Sequence, residues 1–150
     1  MGIAYYFSFL SPSEPSQRAS FGSFMGILQY TFTNYDGLSR PGCWGHLDML
    51  EVGCKSGPNG VQDVGLSFEE TRTHYAAWAI MSSPLFLSHD VTNETIMDAV
   101  WPTISNADII AINQAWAGYS GGPFWKSRDR IRFFPKSKVS GSSSLTMSCL

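Results

Sequence analysis

The sequence predicts an α/β fold, and two patterns carry that reading: short apolar runs that end in polar residues, and helical segments set between them. Runs at residues 44–52, 84–90 and 108–113 have the length and composition of buried parallel strands. Helical patterns occupy residues 67–83 and 95–100. Strand, helix, strand, helix, strand in alternation is the order of right-handed parallel α/β units.

Residues 1–40 form an N-terminal segment with little organisation. The opening Met1-Gly-Ile-Ala-Tyr-Tyr-Phe-Ser-Phe-Leu10 is apolar, but it is too short to span a bilayer and lacks the basic residues that begin an export signal. Tyr6 stands where a myristoylation signal wants Ser or Thr. Residues 11–23 are rich in Ser and Pro and read as a loop, and residues 24–32 lean towards helix.

The turn Arg40-Pro41-Gly42 introduces the first strand, 44–52. Residues 53–65 contain four Gly and one Pro, the composition of a long surface loop of the kind that shapes binding sites. The helix over 67–83 opens with Ser67-Phe-Glu-Glu70, a capping box in which the hydroxyl and the carboxylate satisfy free backbone amides. Phe68, Tyr75, Trp78, Ala79 and Met81 are its expected apolar side, and Pro84 ends it. The strand 84–90 closes on His89 and Asp90, and the strand 108–113 closes on Asn113 and Gln114. Beyond Gly118 the texture changes: residues 124–134 alternate aromatic and basic side chains, which predicts β structure, and residues 137–148 are Ser-rich. The organisation is therefore 1–40, a strand-helix unit over 41–118, and the start of a β-rich unit over 119–150 that stops short of a closed domain.

The chain has 150 residues, enough for one ordinary core, whereas a complete (β/α)8 barrel needs roughly 250. A net charge of −2 with 15% charged residues gives no basic surface for nucleic acid. His46, His74 and His89 lie on separate elements without a second ligand at HxxxH spacing, so no metal or other cofactor is expected. Cys43 and Cys54 flank the first strand and its turn, and they read either as a disulfide in an oxidising compartment or as two free thiols. Asn93-Glu94-Thr95 is a glycosylation sequon that an exported chain would use.

The segment Pro41-Gly-Cys-Trp-Gly-His-Leu-Asp-Met-Leu-Glu-Val-Gly53 resembles the P-G-x-W-N-D-P-D-M-L-E-V-G signature of glycoside hydrolase family 27, the α-galactosidases and α-N-acetylgalactosaminidases. Three further pieces follow in that family's order: Leu66-Ser-Phe-Glu-Glu70, then Ala77-Trp-Ala-Ile-Met-Ser-Ser-Pro-Leu-Phe-Leu-Ser-His-Asp90, then Ile109-Ile-Ala-Ile-Asn-Gln114. The resemblance implies the last three strands and helices of a (β/α)8 TIM barrel, followed by the start of a C-terminal β-sandwich. It implies a terminal α-galactoside as the substrate and a secreted, lysosomal or vacuolar setting for the full-length parent.

The departures from the pattern bear on activity. His46 and Leu47 stand where the family usually has Asp and Pro. The family's retaining chemistry uses an aspartate nucleophile in a Lys-x-Asp motif and an acid/base aspartate in an Arg-x-x-x-Asp motif, with carboxyls about 5 to 5.5 Å apart. No Lys-x-Asp occurs in this sequence, and Gly22 occupies the aspartate position after Arg18. No catalytic residue is assigned, and the chain reads as part of an α-galactosidase-like enzyme or, alternatively, as an inactive carbohydrate-binding remnant. Met49 matches a position bordering the sugar in the family, so substrate contact and a core role both stand. Asp48 is a candidate at the same site, with a role in holding neighbouring loops preferred over catalysis. Asp90 reads as structural, and Trp44, Trp78, Trp101 and Trp116 read as packing before sugar stacking.

Overall fold

The computed structural model describes residues 21–34, 39–54, 65–126 and 131–133. Four helices and one hairpin follow in chain order. Helix α1, Phe21–Asn34, covers the helix expected over 24–32 and buries Phe24 and Leu28, four residues apart on one face.

Helix α2, Phe68–Ile80, is the central element, and its N-terminus is the expected capping box. The Glu70 N–H donates to Ser67 Oγ at 3.3 Å, and the Ser67 N–H donates to Glu70 Oε2 at 2.8 Å. From His74 to Ile80 every residue is buried, so the second half of this helix is covered on all sides rather than along a stripe. Phe68 departs from expectation. It is 60% exposed, because it sits in the first turn ahead of the buried stretch, where the Arg72 guanidinium lies 5.5 Å from its ring centroid.

Helix α3, Glu94–Ile104, extends the helix expected over 95–100. Pro102 forfeits one backbone hydrogen bond, yet the helix continues to Ile104, whose carbonyl accepts from the Tyr75 hydroxyl at 2.9 Å.

Helix α4, Ala107–Gln114, replaces the strand expected over 108–113. Asn106 Oδ1 accepts from the Ile109 N–H at 3.1 Å and nucleates the first turn. Ile109 and Ile112 pack on the core while Ile110 is exposed, a spacing of three that a helix satisfies. Short apolar runs carry no period of their own, and the cap together with the packing of Ile109 and Ile112 decided this one.

The other two expected strands run side by side and parallel, but they share a single bridge, Leu50 to Leu87. The Leu50 N–H donates to the Phe86 carbonyl at 2.8 Å. Elsewhere side chains take over from a backbone ladder: Ser88 Oγ donates to the Leu50 carbonyl, and His89 Nδ1 lies 2.7 Å from the Val52 carbonyl. At the turn that follows, Gly53 adopts φ +77°, and a Cβ there would meet the His89 ring and Ile96 at 3.0 Å.

Strands β1, Pro123–Lys126, and β2, Ile131–Phe133, pair antiparallel with an irregularity between Pro123 and Trp125. They are the described part of the β-rich region expected after Gly118. The expected loop over 53–65 lies mostly outside the described residues, as do residues 1–20 and the Ser-rich 137–148. The core lies between α1, α2, α3 and the parallel segments, with Phe24, Leu28, Leu50, Val52 and Trp78 at its centre. No helix among the described residues is long and apolar enough to cross a membrane.

Candidate active-site segment

Residues 47–51 are held by α2 and the turn after it, and the sequence separations show how much of this is tertiary. Ser83 Oγ accepts from the Leu47 N–H at 3.1 Å, the Trp78 indole N–H donates to the Asp48 carbonyl at 2.9 Å, and His74 Nε2 accepts from the Glu51 N–H at 2.9 Å. Asp48 sits between these anchors with φ +82°, a left-handed backbone that L residues adopt at a cost and that Asp tolerates better than most. Its own carboxylate accepts from the Met49 N–H at 2.8 Å, and its N–H donates to His46 Nδ1 at 3.2 Å. The three long-range anchors over-determine the turn, which is how a strained residue persists.

The consequence is the direction of Met49. Its neighbours Leu47 and Leu50 are buried, whereas Met49 is 48% exposed, so it lies outside the core of the described residues. Phe86 is also exposed on the adjoining segment and its ring lies 5.5 Å from that of His46. The segment therefore offers a thioether chain and an aromatic ring to solvent, on a backbone fixed from behind.

His74 is the most perturbed titratable group described. It is fully buried against Phe24 and Trp78, with ring centroids at 4.8 and 4.0 Å. Burial lowers its pKa to about 3, so the ring is neutral at neutral pH. Because Nε2 accepts from Glu51, the proton resides on Nδ1, which has no partner among the described residues. This histidine is a backbone acceptor, and nothing in its spacing in the sequence announces that role. Trp78 and Ser83 were equally hidden: one counted as apolar face, the other as the end of a helix.

The remaining candidates separate. Asp90 accepts from the Thr92 hydroxyl at 2.6 Å and the Thr92 N–H at 2.9 Å. Those bonds lower its pKa and close the turn before α3. Cys43 and Cys54 are free thiols, which corrects the disulfide reading. The neighbour of Cys54 Sγ is the Ser88 hydroxyl at 3.1 Å rather than a second sulfur. Trp78 is buried, Trp44 and Trp116 stack edge to face at 5.2 Å, and Trp101 is exposed on α3. Among the described residues no group of three or more His, Cys, Asp or Glu gathers as a metal would need. Asn93 is exposed and caps α3 through its side-chain oxygen.

Helices packed around parallel segments, with an anchored loop at their junction, give the chain an α/β architecture, and comparison with known proteins narrows the class. Residues 16–115 match the family described as alpha galactosidase A, and the chain belongs to that family. It is 41% identical over 85 residues to alpha-galactosidase mel1 of Schizosaccharomyces pombe, covering 57% of this chain and 17% of that protein. It is 33% identical over 129 residues to the alpha-N-acetylgalactosaminidase of Gallus gallus, covering 84% of this chain and 29% of that one. The solved structure of alpha-galactosidase I from Mortierella vinacea superposes with a TM-score of 0.55 at 30% identity, over 88% of this chain and 32% of its own. The chain thus spans less than a third of the relatives it matches.

Proposed function

We propose that this chain forms the later part of the barrel of an α-galactosidase-type glycoside hydrolase, and that the whole protein removes terminal α-galactosyl units with retention of configuration. Residues 41–118 supply the last strands and helices of that barrel, and residues 119–150 begin its C-terminal β-sandwich. The observation that carries this reading is the fixed Asp48–Met49 turn, which presents Met49 to solvent within the segment that resembles the family signature.

Retaining hydrolysis needs one carboxylate to attack the anomeric carbon and another to protonate the leaving oxygen, about 5 to 5.5 Å away. Neither role falls to a residue of this chain. Its contribution is to bind and orient: Met49 lies against the apolar face of the sugar ring, and Asp48 fixes the backbone that aims it. His74, Trp78 and Ser83 hold that backbone so that the sugar does not pay for ordering it. No cofactor takes part.

The test is hydrolysis of a chromogenic α-galactoside by the 150-residue chain and by a gene product extended to include the Lys-x-Asp and Arg-x-x-x-Asp motifs. Turnover in the extended protein alone is the expected result, and turnover in neither overturns the assignment. In the extended protein, Met49→Ala raises KM with little change in melting temperature, because the side chain is half outside the core. An unchanged KM removes Met49 from the site.

A further inference from the structure

We infer that Asn93 is an N-glycosylation site whose side chain caps helix α3 and carries a glycan at the same time. Asn93-Glu94-Thr95 is the one sequon in the sequence, and all three residues, with Val91 and Thr92 before them, are exposed. The chain at Asn93 is extended, with φ −84° and ψ 99°, and α3 begins at the next residue. Among the described residues, the acceptor and its neighbours on both sides are therefore open to a transferase or a finished glycan.

The chemistry of the amide makes the two roles compatible. Capping uses the oxygen, since Asn93 Oδ1 accepts from the Ile96 N–H at 3.2 Å. Glycosylation uses the nitrogen: Nδ2 forms a bond to the anomeric carbon of a lipid-linked oligosaccharide diphosphate, the bond from that carbon to the diphosphate breaks, and Nδ2 loses one proton. The linked side chain is still a secondary amide, with its carbonyl oxygen intact as an acceptor. Nδ2 makes no hydrogen bond to a described residue that the glycan would displace. The first turn of α3 keeps its cap, and the sugar projects into solvent beside exposed Val91.

Substitutions at Asn93 and Thr95 separate the two roles. Translating the chain behind a cleavable leader in the presence of microsomes is expected to give one glycan step on a gel, removed by peptide-N-glycosidase, with the released peptide carrying Asp at position 93. Thr95→Ser retains the step. Thr95→Val and Asn93→Asp abolish it, and because both leave a side-chain oxygen at position 93 to cap α3, their thermal midpoints in the extended protein match that of the enzymatically deglycosylated wild type. Asn93→Gln loses the step and the cap together. Absence of a step in the wild type while a control glycoprotein is modified overturns the proposal. So does a step that survives Asn93→Asp.

Discussion

His74 lies wholly buried between Phe24 and Trp78, and its pKa is lowered from 6.5 to about 3. Between those values the unfolded chain binds a proton that the folded chain refuses. Stability is fully present above about pH 6.5 and declines as pH falls towards 3, by up to about 1.4 kcal/mol per unit. Urea midpoints of the extended protein measured at pH 7 and pH 5 show the decline. His74→Gln, which keeps an acceptor for the Glu51 N–H but does not titrate, flattens it; an equal slope in the variant would remove His74 as its cause. Trp78→Phe is the second residue-scale prediction. It preserves most of the packing but takes away the donor to the Asp48 carbonyl, and a buried acceptor left unpaired costs about 1 to 3 kcal/mol. In the extended protein this substitution also raises KM, since the turn that aims Met49 loosens.

The elements owe their limits to caps and turns. Removing the Ser67 hydroxyl breaks one half of the box that starts α2, and Ser67→Ala is expected to cost about 1 kcal/mol, read as a fall in thermal midpoint of the extended protein. Gly53→Ala is the harsher change: φ is +77° and the new Cβ would lie 3.0 Å from both the His89 ring and Ile96, which forces either the turn or the histidine to move. A loss beyond that of Ser67→Ala is the expected outcome of the same measurement. The capping box of α2 was legible from Ser67 and Glu70 alone, because both partners lie within four residues. Helix α4 was not. Its apolar run reads equally as buried strand or helix, and only the Asn106 cap together with the packing of Ile109 and Ile112 on the core separates them.

At the scale of the whole molecule, the described helices and the parallel bridge of Leu50 with Leu87 hold a surface that includes Met49, Phe86, Val91 and Trp101 among its exposed large apolar residues. Parallel segments with an uncovered edge invite pairing with other chains, and barrel closure normally removes that edge. The 150-residue chain by itself is expected to melt over a broad range and to elute as associated species. A sharp cooperative transition with a monomeric elution volume would show that these elements suffice as a folding unit.

Local chemistry in the sequence determined the start of α2, the turn at Arg40-Pro41-Gly42, the parallel direction of the segments around Leu50 and Leu87, and the ordered motifs that mark the family. These are short-range or pattern properties, written within a few residues or in their order along the chain. The tertiary structure decided that Cys43 and Cys54 stay free, that the run capped by Asn106 packs on the core as α4, and that His74, Trp78 and Ser83 clamp residues 47–51. Those outcomes join groups 23 to 36 residues apart or depend on how an apolar run meets a particular core. A backbone amide can accept any partner that packing brings within reach, so the identity of that partner is settled by the fold and not by the spacing of letters.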